Sequence, residues 1–480
     1  MKIARHKTAI SRTDLSRPVK RAISDGILRD DQRLFDYGCG RGDDLRMLGA
    51  LGFEVAGWDP IHRPDALLAP APVVNLGFVV NVIEDSRERE AALRAAWELA
   101  EQVLIVAARL HIDSRFQAET SEFGDGCLTS RGTFQKLYDQ QELRRWIDQS
   151  LEVSSVAAGP GIYYIFRREE DRAGYLASRY RRRLSAPRLS RSAQLFDEHR
   201  ALLEPLIQFF EERGRLPEQD EIDEADALLS VFGSAKRAFA VVRKASDEAA
   251  WDEIASARAQ DLLIYLALSR FDGRPAFGHL PSNLQRDVKG FFSTYTKACE
   301  KADTLLYAIG APSAVDQACQ DSEIGKLTPS ALYVHTEALD SLSPTLRLFE
   351  GCARGYIGQV DGANLVKLHR GEPKVSYLSY PEFECDPHPA LAFAVTVHLQ
   401  TFSVKSRRYA DSRNPPILHR KESFLTPDHP LYVKFARLTR IEEGKGLYEE
   451  TSRIGTRDGW NEVLSAKGLT LKGHRLLKAH

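Results

Sequence analysis

Over its first third the chain alternates short apolar runs with amphipathic stretches. Arg33-Leu34-Phe35-Asp36-Tyr37 reads as a buried strand, and residues 43–51, closed by Gly52, as a helix. Phe53-Glu54-Val55-Ala56-Gly57-Trp58 gives a second strand. Residues 61–71 are rich in Pro and Ala, so a third strand there would be short. An apolar run from Val73 to Asp85 follows, then a helix over 86–100 with Ala92, Leu93, Ala96 and Leu99 on one side. Val103–Ala108 is a further strand. A loop with Gly124, Gly126 and Gly132 leads to a helix around 140–149. Leu151–Val156 and Ile162–Phe166 then pair as a hairpin across Gly159-Pro160-Gly161. Strands alternating with helices predict an α/β fold with a mostly parallel sheet over the first 168 residues.

The pattern changes after Arg168. Arginines at 167, 168, 172, 179, 181, 182, 183, 188 and 191 face only Glu169, Glu170 and Asp171, with Tyr175 and Tyr180 interleaved. This stretch reads as a solvated linker or a phosphate-binding segment. Apolar spacing at Leu202, Leu203, Leu206, Ile207 and Phe210, and again over 262–268, predicts a helical region. From about 355, turn signals at Val360-Asp361-Gly362-Ala363 and Arg370-Gly371-Glu372-Pro373 flank β-rich runs. The expected organisation is an α/β domain over 1–168, an Arg-rich linker over 169–191, a mainly helical domain over 192–350 and an α+β domain over 351–480.

Composition narrows the function classes. Across 480 residues, Lys+Arg 66 against Asp+Glu 67 leaves no global polyelectrolyte character, so a nucleic-acid surface must be local. Two local excesses qualify: 167–191, and Lys405, Arg407, Arg408, Arg413, His419, Arg420 and Lys421 in the tail. Six cysteines without a Cys-x-x-Cys pair argue against a disulfide framework or zinc cluster and for a reducing compartment. No metal-ligand spacing is present. The basic N-terminus lacks an apolar signal core and no apolar run approaches membrane-spanning length, so the expectation is a soluble, cytoplasmic protein with no membrane partner. That N-terminal segment reads as a solvated lead-in or a phosphate-contacting arm.

The candidate chemistry sits at Asp36-Tyr37-Gly38-Cys39-Gly40-Arg41-Gly42-Asp43-Asp44, between a strand and a helix. Asp59 ends the next strand, about twenty residues after Gly38. A tight strand-to-helix turn would use the same glycines, and Pro60 makes Asp59 a turn starter; strand, helix and distant acid together favour a nucleotide-cofactor site. A dinucleotide would place its pyrophosphate on the helix N-terminus. Asp43 and Asp44 occupy that turn, and each would repel a phosphate charge by roughly 1 kcal/mol or more. A phosphate-free cation suits the site better.

The run resembles motif I of the class I S-adenosylmethionine-dependent methyltransferases, acid-x-Gly-x-Gly-x-Gly, at Asp36, Gly38, Gly40 and Gly42. The resemblance implies a Rossmann-like methyltransferase sheet with a reversed last strand, S-adenosylmethionine as cofactor held by Asp36, Tyr37, Gly38, Gly40, Gly42 and Asn75, and ribose hydroxyls on Asp59. It also puts the acceptor beyond the fourth strand, at Asn75-Leu76-Gly77-Phe78. Amino-methylating DNA enzymes carry Asn/Asp-Pro-Pro-Tyr/Phe there and stack the aromatic on a flipped base. Asn75 and Phe78 fit; Leu76-Gly77 departs from the two prolines. Asn75 is the expected catalytic residue, orienting the acceptor. Cytosine C5 chemistry would need a cysteine nucleophile that this segment lacks.

Taken with His6–Arg12, Gly57-Trp58-Asp59-Pro60, Val74–Glu84 and Pro416–Glu422, the chain resembles the methyltransferases associated with DNA phosphorothioation systems, from the N-terminus to about 450. That resemblance implies a bacterial DNA-modification or defence setting, nucleic acid (DNA first) bound through the Arg-rich segments, and phosphorothioation proteins as partners. The rival readings are a non-catalytic cofactor-binding scaffold in such a complex and a small-molecule methyltransferase.

Overall fold

Four apolar runs form the parallel part of a six-stranded sheet: Leu34–Tyr37 (β1), Val55–Trp58 (β2), Ala71–Gly77 (β3) and Ala100–Ala107 (β4). Thr120–Phe123 (β5), Gly126–Thr129 (β6) and Phe134–Gln135 (β7) make a small separate sheet. Val156–Gly159 (β8) and Ile162–Phe166 (β9) then close the main one antiparallel, in the order β2-β1-β3-β4-β9-β8. This computed structural model describes residues 3, 5–9, 11–112, 120–184, 196, 198–223 and 225–479.

Helices Arg17–Ser24 (α1), Asp43–Ala50 (α2), Ser86–Leu99 (α3) and Gln140–Leu151 (α4) accompany the sheet. The Asp85 side chain accepts from Arg87 N at 2.8 Å and starts α3. Leu93 and Ala96 of α3 and Leu143 and Ile147 of α4 meet Phe35, Val74, Leu76, Leu104 and Val106 in one buried core. Each such aliphatic side chain contributes about 1.5–3 kcal/mol by leaving water.

Several expected boundaries move. The four-residue apolar spacing Leu143–Ile147–Leu151 carries α4 to Leu151, so the first arm of the closing hairpin is Val156–Gly159, not 151–156. The glycine-rich segment before α4, read as a loop, contains β5–β7. Residues 61–70 form no strand, only an isolated bridge from Asp59 to Arg63, and β3 begins at Ala71. The apolar run from Val73 leaves the sheet at Gly77 and turns over 78–82.

Two units divide the chain. Met1–Arg168, Asp316–Ser341 and Cys352–His480 form the first; Glu169–Val315 and Leu342–Gly351 form the second. Residues 169–179, expected as linker, are a helix, Glu169–Arg179 (α5), with three acids in its first turn. Arg200–Arg213 (α6), Ala225–Phe232 (α7), Ala235–Ala245 (α8) and Glu248–Leu268 (α9) build the second unit's core, where Phe210 stacks on Phe239 at 4.2 Å.

Residues 1–168 and 352–480, expected in separate domains, fall in one contact-defined unit. A second sheet there is an antiparallel meander: Lys326–Leu327 (β10), Ala331–His335 (β11), Leu365–His369 (β12), Lys374–Ser379 (β13), Phe393–His398 (β14) and Ser403–Arg408 (β15). Its first two strands come from the stretch read as helical. Arg21 ion-pairs with Asp361, and Gln359 N donates to Ala158 O at 3.0 Å. A Cβ on Gly358 would overlap the backbone of Ala158 and Gly159, so the two segments approach as only glycine permits. No helix among the described residues is long and apolar enough to cross a membrane.

Candidate functional site

The chain leaves β1 for β2 on one side and returns to β3 on the other, which opens a crevice at the carboxyl ends of β1 and β3. Asp36 and Tyr37 end β1, and the glycine loop joins them to α2. Gly38, Gly40 and Gly42 have φ of +83°, +54° and +76°. At Gly38 a Cβ would also overlap Val79 Cγ2, so both conformation and space demand glycine.

The loop turns its amides inward. Gly38 N and Cys39 N donate to Trp58 O at 2.7 and 3.1 Å, Gly42 N to Cys39 O at 2.9 Å, and Gly40 N to Asp59 Oδ2 at 3.1 Å. Asp59 Oδ1 accepts from Ile61 N (2.9 Å) and His62 N (2.8 Å). The turn-starting and site-building readings of Asp59 therefore hold together, and a carboxylate retains acceptor capacity for hydroxyls. The Tyr37 ring lies 5.1 Å from that of Trp58.

Asp36 and Asn75 are register partners on β1 and β3, both buried. Asn75 Nδ2 donates to Asp36 Oδ1 at 2.8 Å, while Asn75 Oδ1 has no partner among the described residues. Burial, and then the nearby Asp44 carboxylate, push the Asp36 carboxyl up to about 7. Asn75 was expected at the strand end facing an acceptor; the strand continues to Gly77 and the amide nitrogen is bound to Asp36. The strand-end position belongs to Phe78, half-buried, at φ +62° with its N–H on Ala107 O (2.8 Å) and the Arg109 guanidinium 5.9 Å from its ring. A bulky residue in the left-handed region stores about 1–3 kcal/mol of strain. Asn81, just beyond, is fully buried, and its side-chain amide has no partner among the described residues.

Sequence reasoning missed what crosses the loop. Arg5 grips Glu84 at 2.8 and 2.9 Å and Glu88 at 2.5 and 2.7 Å. These bonds hold the Glu84 carboxyl below its usual range. Ala9 lies against Gly40. Arg12 N donates to Asp43 Oδ2 (2.7 Å), and Arg12 Nη2 and Ser16 N to the two oxygens of buried Asp44 (3.0 and 2.8 Å). The N-terminal arm is thus a strap over the glycine loop, anchored at both ends. Its arginines bind carboxylates of the protein, where a solvated or phosphate-contacting arm was expected. Alternating cations opposite Asp43, Asp44 and Glu84 were the available signal.

The Arg-rich stretches also resolve differently from expectation. Arg167 covers the Trp97 ring at 3.7 Å, Arg172 bonds Glu169 (2.7 Å), Arg181 bonds Glu212 (3.1 Å) and Arg182 bonds buried Asp261 (2.7 Å). These are fold-building contacts; Arg188 and Arg191 lie outside the described residues. In the tail, His419 and Lys421 are buried, Lys421 Nζ donating to Phe383 O and Asp386 O at 2.6 Å each. Lys405, Arg407, Arg408 and Arg413 are exposed. Asn414-Pro415-Pro416-Ile417 is a bend leading into bridges with Ala390 and Thr456. Among the described residues no cluster of His, Cys, Asp or Glu is placed to hold a metal.

No family model matches this sequence, and no curated protein does. Among solved structures, the sugar N-methyltransferase KedS8 from Streptoalloteichus sp ATCC 53650 is 14% identical with a TM-score of 0.26, covering 32% of this chain and 89% of its own. The CcbJ methyltransferase from Streptomyces caelestis is 13% identical, TM-score 0.25, covering 34% and 93%. Magnesium protoporphyrin IX methyltransferase from Synechocystis PCC 6803, solved with bound SAH, is 15% identical, TM-score 0.23, also covering 34% and 93%.

Proposed function

We propose that the crevice between β1 and β3 binds S-adenosylmethionine and that the protein is a methyltransferase acting on nucleic acid, DNA first, in a phosphorothioation-associated setting. One observation carries the cofactor reading. Two carboxylates, Asp43 and Asp44, stand in the first turn of α2, where a pyrophosphate would sit, and the loop amides of Gly38, Cys39, Gly40 and Gly42 are bound within the protein. Asp36, Asp43, Asp44 and Asp59 surround the loop. Arg12 and Arg63 offset part of that charge, and the acidic remainder favours a phosphate-free cation.

The donor set fits the group. Asp59 offers lone pairs to a ribose diol, Asp36 a carboxylate whose ionisation a cation would favour, and Asn75 Oδ1 an unused acceptor. S-adenosylmethionine supplies an electrophilic methyl on a sulfonium. The protein's part is positioning and exclusion of water. The strap shields the loop from solvent, and Phe78 holds an aromatic face at the end of β3, where a planar acceptor can stack. Exposed Lys405, Arg407, Arg408 and Arg413 favour a polyanionic acceptor over a small neutral one.

Calorimetric titration of S-adenosylmethionine into wild type and Asp59→Ala tests the first step. We expect the variant to lose tenfold or more in affinity, about 1.4 kcal/mol or above; equal affinities would discard the site. Labelled-methyl transfer into plain DNA, phosphorothioated DNA, RNA and small molecules tests the second. Binding without transfer to any of them would leave a cofactor-binding scaffold.

A further inference from the structure

We propose that the β14–β15 hairpin is a ribbon that grips the backbone of an unpaired nucleic-acid strand and stacks Phe402, at its tip, on a base. The inference rests on the nucleic-acid reading of the acceptor and adds the element that holds it.

β15 is the edge of the second sheet. From Leu399 to Arg413 the chain carries four cations, Lys405, Arg407, Arg408 and Arg413, and one acid, Asp411. All four cations are exposed, and none has an ion-pair partner among the described residues. Lys405 and Arg407 share a face, roughly 7 Å apart along the strand, the repeat of alternate residues. That spacing places one cation on each successive phosphate of an extended strand. Lys405 also ends a polar row across the sheet through Thr396 and Ser376 to Lys367, with the two hydroxyls 2.8 Å apart. Ser376 is buried and also bonds His369, so this row braces the strand from below and leaves the exposed cations of β15 as the phosphate contacts.

Phe402 makes this more than a charged edge. Its φ is +49°, the residue is 47% exposed, and one side of its ring meets Tyr356 at 5.5 Å. Such a backbone costs about 1–3 kcal/mol in a non-glycine residue; the Tyr356 contact returns only about 0.5–1.5 kcal/mol and leaves the other side of the ring in solvent. The Tyr356 hydroxyl donates to Phe402 O at 2.6 Å and fixes the tip. Cations on an edge strand also guard against edge-to-edge pairing, but that role explains neither a strained aromatic at the tip nor Arg413 beyond it. Aromatic faces beside a basic track are how unpaired strands are held without sequence preference.

Anisotropy with a labelled single strand of about twenty nucleotides, against the matching duplex, tests this on the full chain over a range of salt. We expect the single strand to bind more tightly. Lys405→Glu with Arg407→Glu should cut affinity at least tenfold and lower the log–log salt slope by about 1.4, two phosphates' worth. Phe402→Gly suits the positive φ, so it should leave the thermal midpoint unchanged or higher, keep the salt slope and weaken binding about fivefold or more. If nucleic acid binds but the charge-reversed pair keeps wild-type affinity and slope, the ribbon is wrong while the acceptor reading stands. If Phe402→Gly is silent and duplex binds equally well, the stacking proposal is overturned. Absence of binding to any nucleic acid would remove ribbon and acceptor reading together, leaving the cofactor site to be judged by its own titration.

Discussion

Asp36 gives the sharpest test of the cofactor site, because its environment sets a sign as well as a size. Its carboxyl is buried, with Asp44 nearby and Asn75 as hydrogen-bond partner, and its pKa rises from 3.8 to about 7. Well below pH 3.8 the group is protonated in both folded and unfolded chains. As pH rises toward 7 the unfolded chain releases its proton first, so the stability the raised pKa confers is lost over that window, by about 4 kcal/mol in all. Asp36→Asn removes the titration, so the difference in unfolding free energy between the two proteins should drift by about 3 kcal/mol from pH 4 to pH 7, the rest lying just outside that window. A bound cation reverses the preference and draws the proton off. At pH 6 only about one Asp36 in ten is ionised, so cofactor affinity should be about tenfold weaker at pH 6 than at pH 8, or about 1.4 kcal/mol. The ligand's own α-amino group titrates near 8, which is why wild type and Asp36→Asn are compared by difference. Calorimetry at pH 7 in two buffers of unlike ionisation enthalpy should show about half a proton released per site in wild type, beyond that in the variant. Identical pH profiles and proton counts would refute both the buried-acid assignment and its part in binding.

Two further outcomes follow from the same geometry. Gly38→Ala forces a Cβ onto Val79 and into a left-handed backbone, so chemical denaturation should show a loss of more than about 1 kcal/mol, accompanied by loss of cofactor binding; a stable variant with wild-type affinity would contradict the packing described. Arg5→Ala unlatches the strap from Glu84 and Glu88, so stopped-flow measurements should show cofactor leaving about five- to tenfold faster with a smaller change in the thermal midpoint; unchanged release would mean the strap does not gate the crevice.

The local rules carried the first sheet. Short apolar runs, the glycine loop and the acid after the second strand were visible in the sequence because each is a short-range pattern with its own physical cause. β1, α2 and β2 fall within two residues of the expected bounds. The second sheet was partly hidden for an equally physical reason. Ala331–His335 is a five-residue apolar run inside a long helical region, and short apolar runs do not declare strand or helix until a partner strand is present.

Residue types, their periodicity and the glycine–acid spacing were enough by themselves to announce an α/β domain with a glycine loop between its first strand and helix and an acid, Asp59, after the next strand. Tertiary structure alone decided which charges are available. It bound Arg5 and Arg12 to the site's own acids, buried Lys421 on carbonyls, turned Asn75 toward Asp36 and left Phe78 at the strand end and the β15 cations in solvent. A charge has no functional meaning until its neighbours are known, and those neighbours lie far along the chain, 83 residues from Arg5 to Glu88 and 340 from Arg21 to Asp361.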